Sequence, residues 1–271
     1  MEGEVIRRDY FDLALAYRQW QGSGRHENLP RGAQAAANVC GQYAPLAHVS
    51  QSDDDSDAHG INRWGAILEQ FRNAQDLLSS HAPRRLLTAG GDCAVDIAAI
   101  DYLNRIHRDL SVIWVDAHLD ANTPATSPSG NFHGMPVSAI MGCAPEPMRR
   151  LLHMPIAPAQ FSYVGVRVGD EGDWAFQREQ KLAMLDSSTG RAGPVHIHFD
   201  LDVLDPDEFP YLAYPEPGGL PIGEAIALVR RIAGESEIVG FTVTEFAPAS
   251  DLDASEGSKV IARLCAAAAG K

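Results

Sequence analysis

Cysteine is scarce in this chain. Its four residues, Cys40, Cys93, Cys143 and Cys265, stand far apart with no Cys-x-x-Cys pair, which excludes a disulfide framework. Basic residues are also short: 22 Lys and Arg face 36 Asp and Glu, a net charge of -14 and a pI near 5.0. Nucleic-acid binding needs basic patches, and so does an anionic membrane surface, so neither partner is expected. No apolar run approaches the ~20 residues of a membrane span. The opening residues, Met1 to Arg8, lack the apolar region of a secretory signal. A cytoplasmic, reducing location is the resulting expectation. There is no internal repeat and no heptad.

What the chain does have is ordinary core-forming composition, 45% hydrophobic and 21% charged over 271 residues. That suffices for a sizeable core, and a single domain over residues 1–271 is expected. Short apolar runs alternate with helix-like spacing. Strands are predicted at 11–15, 85–88, 110–115, 161–166, 195–199 and 238–245. Helices are predicted at 66–78, 94–106, 220–232 and 254–268. Buried strands separated by helices indicate a mostly parallel sheet with helices on both faces. Residues 50–60, which carry Asp53, Asp54, Asp55 and Asp57, read as a solvated acidic loop, because no glutamate completes a calcium-loop pattern. The rest of residues 1–60 carries no signature.

The chemistry gathers at strand ends. The strand at 110–115 runs into Asp116-Ala117-His118-Leu119-Asp120, and that at 195–199 into Asp200-Leu201-Asp202-Val203-Leu204-Asp205-Pro206. Ligands of open α/β sheets bind beyond the carboxyl ends of the strands. One such aspartate pair could be a turn or cap. Two, with the same i, i+2 spacing, supply more carboxylate than one cation needs and indicate two metals sharing a bridging group. A third strand end is Gly90-Gly91-Asp92-Cys93, where Cys93 is open to three roles: metal ligand, reactive thiol or small buried residue. The long polar stretch from Asn122 to Pro136 contains His133, a candidate proton shuttle.

These residues resemble the ureohydrolase family of arginases, agmatinases and their relatives. Asp116 to Asp120 matches its DAHxD motif. His198-Phe199-Asp200-Leu201-Asp202 to Pro206 matches SxDxDxxDP with His198 in the serine position, and Gly90 to Cys93 matches GGDH except at its last residue. The resemblance runs from about Thr88 to Pro248. It implies a three-layer α/β/α sandwich and two manganese ions. Asp116 and Asp200 would bridge them, Asp120 and the Cys93 position would serve the first, and His118 and Asp202 the second. It gives His133 the acid–base role, Asp120 the orientation of the attacking water, and Glu245 the grip on a guanidinium. The stretches around Asn122 and Ser129 resemble the arginase branch, in which they meet the substrate's α-carboxylate. Asp170 and Asp173 resemble the groups near its α-amino end. The implied partners are a small amino-acid substrate and other copies of the chain, in trimers or hexamers.

The implied reaction is hydrolysis of the guanidino group of L-arginine or N-hydroxy-L-arginine, giving ornithine plus urea or hydroxyurea. A branch that hydrolyses N-hydroxyarginine for D-cycloserine biosynthesis is associated with a ligand change like that at Cys93. A weakly held first metal would favour a substrate that brings its own oxygen donor. Three other readings stand beside it: formimidoylglutamate hydrolysis, a degenerate ligand-binding member, and covalent catalysis by Cys93 with His133 as base. Carboxylates around the thiol oppose the last.

Overall fold

Residues 10–24, 27–186 and 193–271 are described by the computed structural model, and they build one eight-stranded sheet. The segment read above for a secretory signal lies outside the described residues. The strands are β1 Leu13–Tyr17, β2 Leu46–His48, β3 Leu86–Gly90, β4 Ser111–Val115, β5 Phe161–Val164, β6 Ala183–Leu185, β7 Pro194–Asp200 and β8 Glu237–Thr244. Their order across the sheet is β2-β1-β3-β8-β7-β4-β5-β6, and every pairing is parallel. Parallel neighbours need crossover connections. These contain α1 Leu29–Cys40, α2 Trp64–His81, α3 Asp96–Ile106, the short turns α4 Pro136–Ser138 and α5 Glu146–Arg149, α6 Glu171–Gln180 and α7 Ile222–Glu235. The helix α8 Asp251–Ala268 follows β8.

Side chains alternate along each strand, so each face of the sheet meets its own helices. Val112 and Trp114 of β4 join Ile67 and Phe71 of α2 and Ile97 and Ile100 of α3. Ile113 and Val115 point the other way, into a core with Ala36 of α1, Val229 of α7 and Leu264 of α8. The three layers expected from the sequence are therefore present.

Boundaries moved for local reasons. The first strand was expected at 11–15 and runs Leu13–Tyr17, because Asp12 Oδ2 accepts the backbone N–H groups of Arg84 (2.7 Å) and Arg85 (2.8 Å) at the strand's foot. The helix expected at 94–106 opens as a tight turn, Cys93–Val95, and becomes α-helical only at Asp96. Six elements were not foreseen, the short turns α4 and α5 among them. β2 and β6 have three residues each, too few to show a period. α6 buries only Asp173 and Phe176, so its apolar stripe is thin, and α1 is rich in alanine and interrupted by Gly32. The acidic residues of the 50–60 loop, Asp53, Asp54, Asp55 and Asp57, are exposed, as a solvated loop requires.

β3, β8, β7 and β4 are consecutive at the centre of the sheet. Cys93, Glu245, Asp200 and Asp116 follow or end these four strands, so sheet topology alone brings sequence-distant groups to one edge.

Candidate metal centre

The DAHxD segment leaves β4 as a tight, self-bonded turn. Asp116 Oδ1 accepts the His118 N–H at 2.6 Å, while Oδ2 accepts the indole N–H of Trp114 at 2.8 Å. The β7 end repeats the device: Asp200 Oδ1 accepts the Asp202 N–H at 2.7 Å. The two turns are tied together, because Asp202 Oδ1 accepts the Ala117 N–H at 3.1 Å. His118 Nδ1 then faces Asp202 Oδ2 at 2.8 Å and Asp116 Oδ1 at 3.6 Å, and its Nε2 lies 3.7 Å from Glu216. Asp116, His118 and Asp202 thus offer three ligand atoms within 4.8 Å of one another.

A second set shares Asp116. Cys93, Asp116, His198 and Asp200, all buried, also bring one ligand atom each within 4.8 Å of the others. The Cys93 thiol donates to Asp200 Oδ2 at 2.8 Å and lies 3.6 Å from Thr244 Oγ1. Asp120 belongs to neither set, although it lines the same cleft. Its backbone is left-handed (φ 49), and so is that of Glu245 (φ 59), a costly state for residues with a Cβ.

Burial of so many acids in one place has electrostatic consequences in the cation-free chain. Burial and then Asp116 push Asp120 far above the usual carboxylate range; burial and then Asp202 do the same to Asp200. Asp202 is pushed up to about 7 by burial and Asp116, against the pull of His118. Burial opposes a charge on His118, but its bonds to Asp116 and Asp202 outweigh that and raise it. Burial, then Asp200 and Asp120, lift the Cys93 thiol well above its ordinary value, so a free thiolate is disfavoured. The same burial and carboxylates oppose the covalent-cysteine reading in the cation-free chain.

The donor set suits divalent cations. Asp120 Oδ2 and Glu245 Oε2 are buried without any hydrogen-bond partner, a rare state for polar atoms in a folded interior. Carboxylates and imidazoles are the ligands manganese prefers, and bound cations would relieve the mutual repulsion of the aspartates.

The cleft over these groups has a volume of about 210 Å³. Its far wall carries Asn122, Ser129, Asp170 and Asp173. Asn122 Nδ2 donates to Asp170 Oδ2 at 2.9 Å, and Asp170 and Asp173 cap the start of α6 reciprocally. Asp173 Oδ1 also accepts the Ala121 N–H at 2.9 Å, so this carboxylate holds the loop after Asp120. His133 Nδ1 stands 3.6 Å from Glu245 Oε1, and its ring lies 5.0 Å from that of Tyr214. Burial opposes a proton on His133, but Glu245 prevails and raises its pKa. The His133 N–H donates to Gly22 O at 3.0 Å, and Gly22 N–H donates to Asp92 at 2.9 Å, so the N-terminal segment braces the histidine.

Every residue singled out from the sequence therefore falls on this cleft or directly beneath it. The sequence reading did not give a role to His198, to Tyr214 on the cleft wall, or to Asp96 and Glu216 behind the two imidazoles. His198 was visible only as a departure from a motif. Its meaning depends on Asp96, 102 positions away.

Fold and site together define a parallel α/β protein whose central strand ends carry two overlapping sets of candidate cation ligands. The chain belongs to the arginase family, whose family model matches residues 33–270. It is 31% identical to an arginase of Neurospora crassa over 213 residues, 68% of this chain and 59% of that protein. It is also 31% identical to an arginase of Schizosaccharomyces pombe over 187 residues, 61% of this chain and 58% of that protein. The matched stretch thus spans less than two thirds of these relatives' length. The fold is similar to that of Entamoeba histolytica arginase solved in complex with L-ornithine (TM-score 0.81, 18% identity), covering 96% of this chain and 97% of that one. Among the described residues no helix is long and apolar enough to cross a membrane.

Proposed function

We propose that this chain is a two-manganese amidinohydrolase that cleaves the guanidino group of an arginine-like amino acid, with N-hydroxy-L-arginine preferred to L-arginine. The observation that carries this is the pairing of two overlapping ligand sets with two unpartnered buried carboxylate oxygens, on Asp120 and Glu245, in one cleft. Asp116, Asp200, His118 and Asp202 would hold the ions, with Asp120 and the Cys93 side completing the first. When bound, such a pair supplies a water nucleophile that ionises near neutral pH and offsets charge on the reacting carbon's substituents.

The chain's own groups do the rest. Glu245 presents a buried carboxylate edge to a planar guanidinium, the arrangement that gives charge-assisted, two-point recognition. His133, whose pKa Glu245 raises against burial, stands at the same position to deliver a proton to the departing amine. Asp120 Oδ2 is free to accept from the attacking water and fix its direction. Asn122, Ser129 and Asp170 offer donors and an anion to the α-carboxylate and α-ammonium ends, and Asp173 positions them. An amine without a carboxylate would leave this wall unused. The preference for the hydroxylated substrate rests on Cys93: sulfur is a poor manganese ligand, so its side of the first ion stays open to a substrate oxygen.

The test is the initial rate on L-arginine and on N-hydroxy-L-arginine, side by side, with manganese supplied. We expect the hydroxylated substrate to be favoured by at least about tenfold in kcat/KM, roughly 1.4 kcal/mol. Equal rates, or faster turnover of arginine, would remove the account of Cys93 and leave a plain arginase. No turnover of either would remove the reading itself.

A further inference from the structure

At position 93 this chain has lost an imidazole that the matching motif carries, and at position 198 it has gained one. The two changes meet in space. His196, His198 and Asp200 alternate along β7, so all three project from the same face of the strand. That face looks across to Asp96 at the start of α3 and to the thiol of Cys93.

His198 is fully buried, and its orientation is set from three sides. Its ring stacks on Trp114, with centroids 3.5 Å apart and planes 5° from parallel. Nδ1 lies 2.9 Å from Asp96 Oδ2. Asp96 is itself anchored, because its Oδ1 accepts from Thr242 Oγ1 at 2.6 Å and its Oδ2 also meets His196 Nε2 at 2.8 Å. With Nδ1 committed to the carboxylate, Nε2 is the nitrogen left to act as a donor to a cation. It faces Thr244 Oγ1 at 3.3 Å, beside Asp200 Oδ2 and the Cys93 thiol. An imidazole backed by a carboxylate, with the opposite nitrogen turned toward two acids and a thiol, is how proteins hold a histidine that binds metal.

We infer that His198 Nε2 is the imidazole ligand of the first cation, taking over from position 93 the nitrogen donor that Cys93 cannot supply. The set becomes Asp116, His198 and Asp200 with the Cys93 sulfur alongside, and Asp96 is the positioning group that fixes the ring and its tautomer. The inference rests on the two-cation reading above, and it adds a ligand from a neighbouring strand. It also explains why a polar imidazole sits fully buried in the sheet at a position where the motif has a small hydroxyl.

The test uses manganese alone, without substrate. X-ray absorption of the loaded chain is expected to show two imidazoles per two ions, one from His118 and one from His198. Calorimetric titration should find two ions per wild-type chain. In His198→Ser the first site should weaken by more than the ~10–100-fold that loss of an outer partner costs, and Asp96→Asn should weaken it within that range. The double variant Cys93→His/His198→Ser should recover most of the loss, which a histidine that merely packs the sheet would not produce. One imidazole per two ions in the wild type, or unchanged affinity in His198→Ser, would overturn the assignment while leaving the two-cation reading intact. Failure of the wild-type chain to bind any manganese would overturn both. The absorption measurement needs no variant, so it decides the matter even if a substitution prevents folding.

Discussion

Glu245 and Asp120 show how much this site asks of single residues. Each adopts a left-handed backbone, at about 1–3 kcal/mol, and each keeps a buried oxygen without a partner. Such residues persist where the surroundings hold them for a purpose. For Glu245 the purpose proposed is the guanidinium, so Glu245→Gln should lower kcat/KM by roughly 100-fold while manganese content stays at the wild-type level. Steady-state kinetics with metal analysis on the same sample checks this, and an unchanged kcat/KM would remove Glu245 from substrate binding. The aspartates were legible in the sequence because i, i+2 spacing after an apolar strand is a local pattern. His198 was not, because its three partners, Trp114, Asp96 and Thr244, come from other strands and a helix, and nothing near it in sequence announces them. Tyr214 gave no signal either, as one of three aromatics in a proline-rich loop.

At the level of elements, the site is assembled by where strands stop. Gly91 follows β3 and passes so close to the first crossover that an added Cβ would lie 1.8 Å from the backbone oxygen of Gln19. Gly91 O also accepts the Glu245 N–H at 2.8 Å. Gly91→Ala must therefore move one backbone segment or the other, and it is expected to cost about 1–3 kcal/mol of stability. Denaturant unfolding would read that loss, and a change below about 0.5 kcal/mol would show that the β3 end is not tightly packed. Most strands were found within two residues of their expected limits, since buried parallel strands are written as continuous apolar runs. The edge strands β2 and β6 were missed because three residues carry no period, and α6 because its role is to present Asp170 and Asp173 rather than to bury an apolar face.

The whole molecule carries a net charge of -14, and part of that acid is buried under the central cleft. In the metal-free chain Asp92 is pushed up to about 7 by burial and Glu245, and Asp202 to about 7 by burial and Asp116. Between pH 5 and 8 the unfolded chain has already released these protons near pH ~4, while the fold still holds them, so the folded state binds more protons and stability falls as pH rises. His118 and His133, raised in the fold, act in the same direction above pH ~6.5, where their unfolded counterparts lose the proton first. Asp96, held below the usual range by His196 and His198 against burial, is ionised in both states and adds no slope in this window. Divalent cations would reverse the trend, because they bind the deprotonated ligands and only the folded chain presents them together. The central claim, that this acidic cluster exists to hold a pair of cations, is therefore tested most directly by thermal unfolding at pH 5 and pH 8, with the chain stripped of metal and with saturating manganese. The account predicts that the stripped chain melts several degrees lower at pH 8 than at pH 5, and that manganese raises the melting temperature most at pH 8. A melting temperature that ignores both pH and manganese would contradict it.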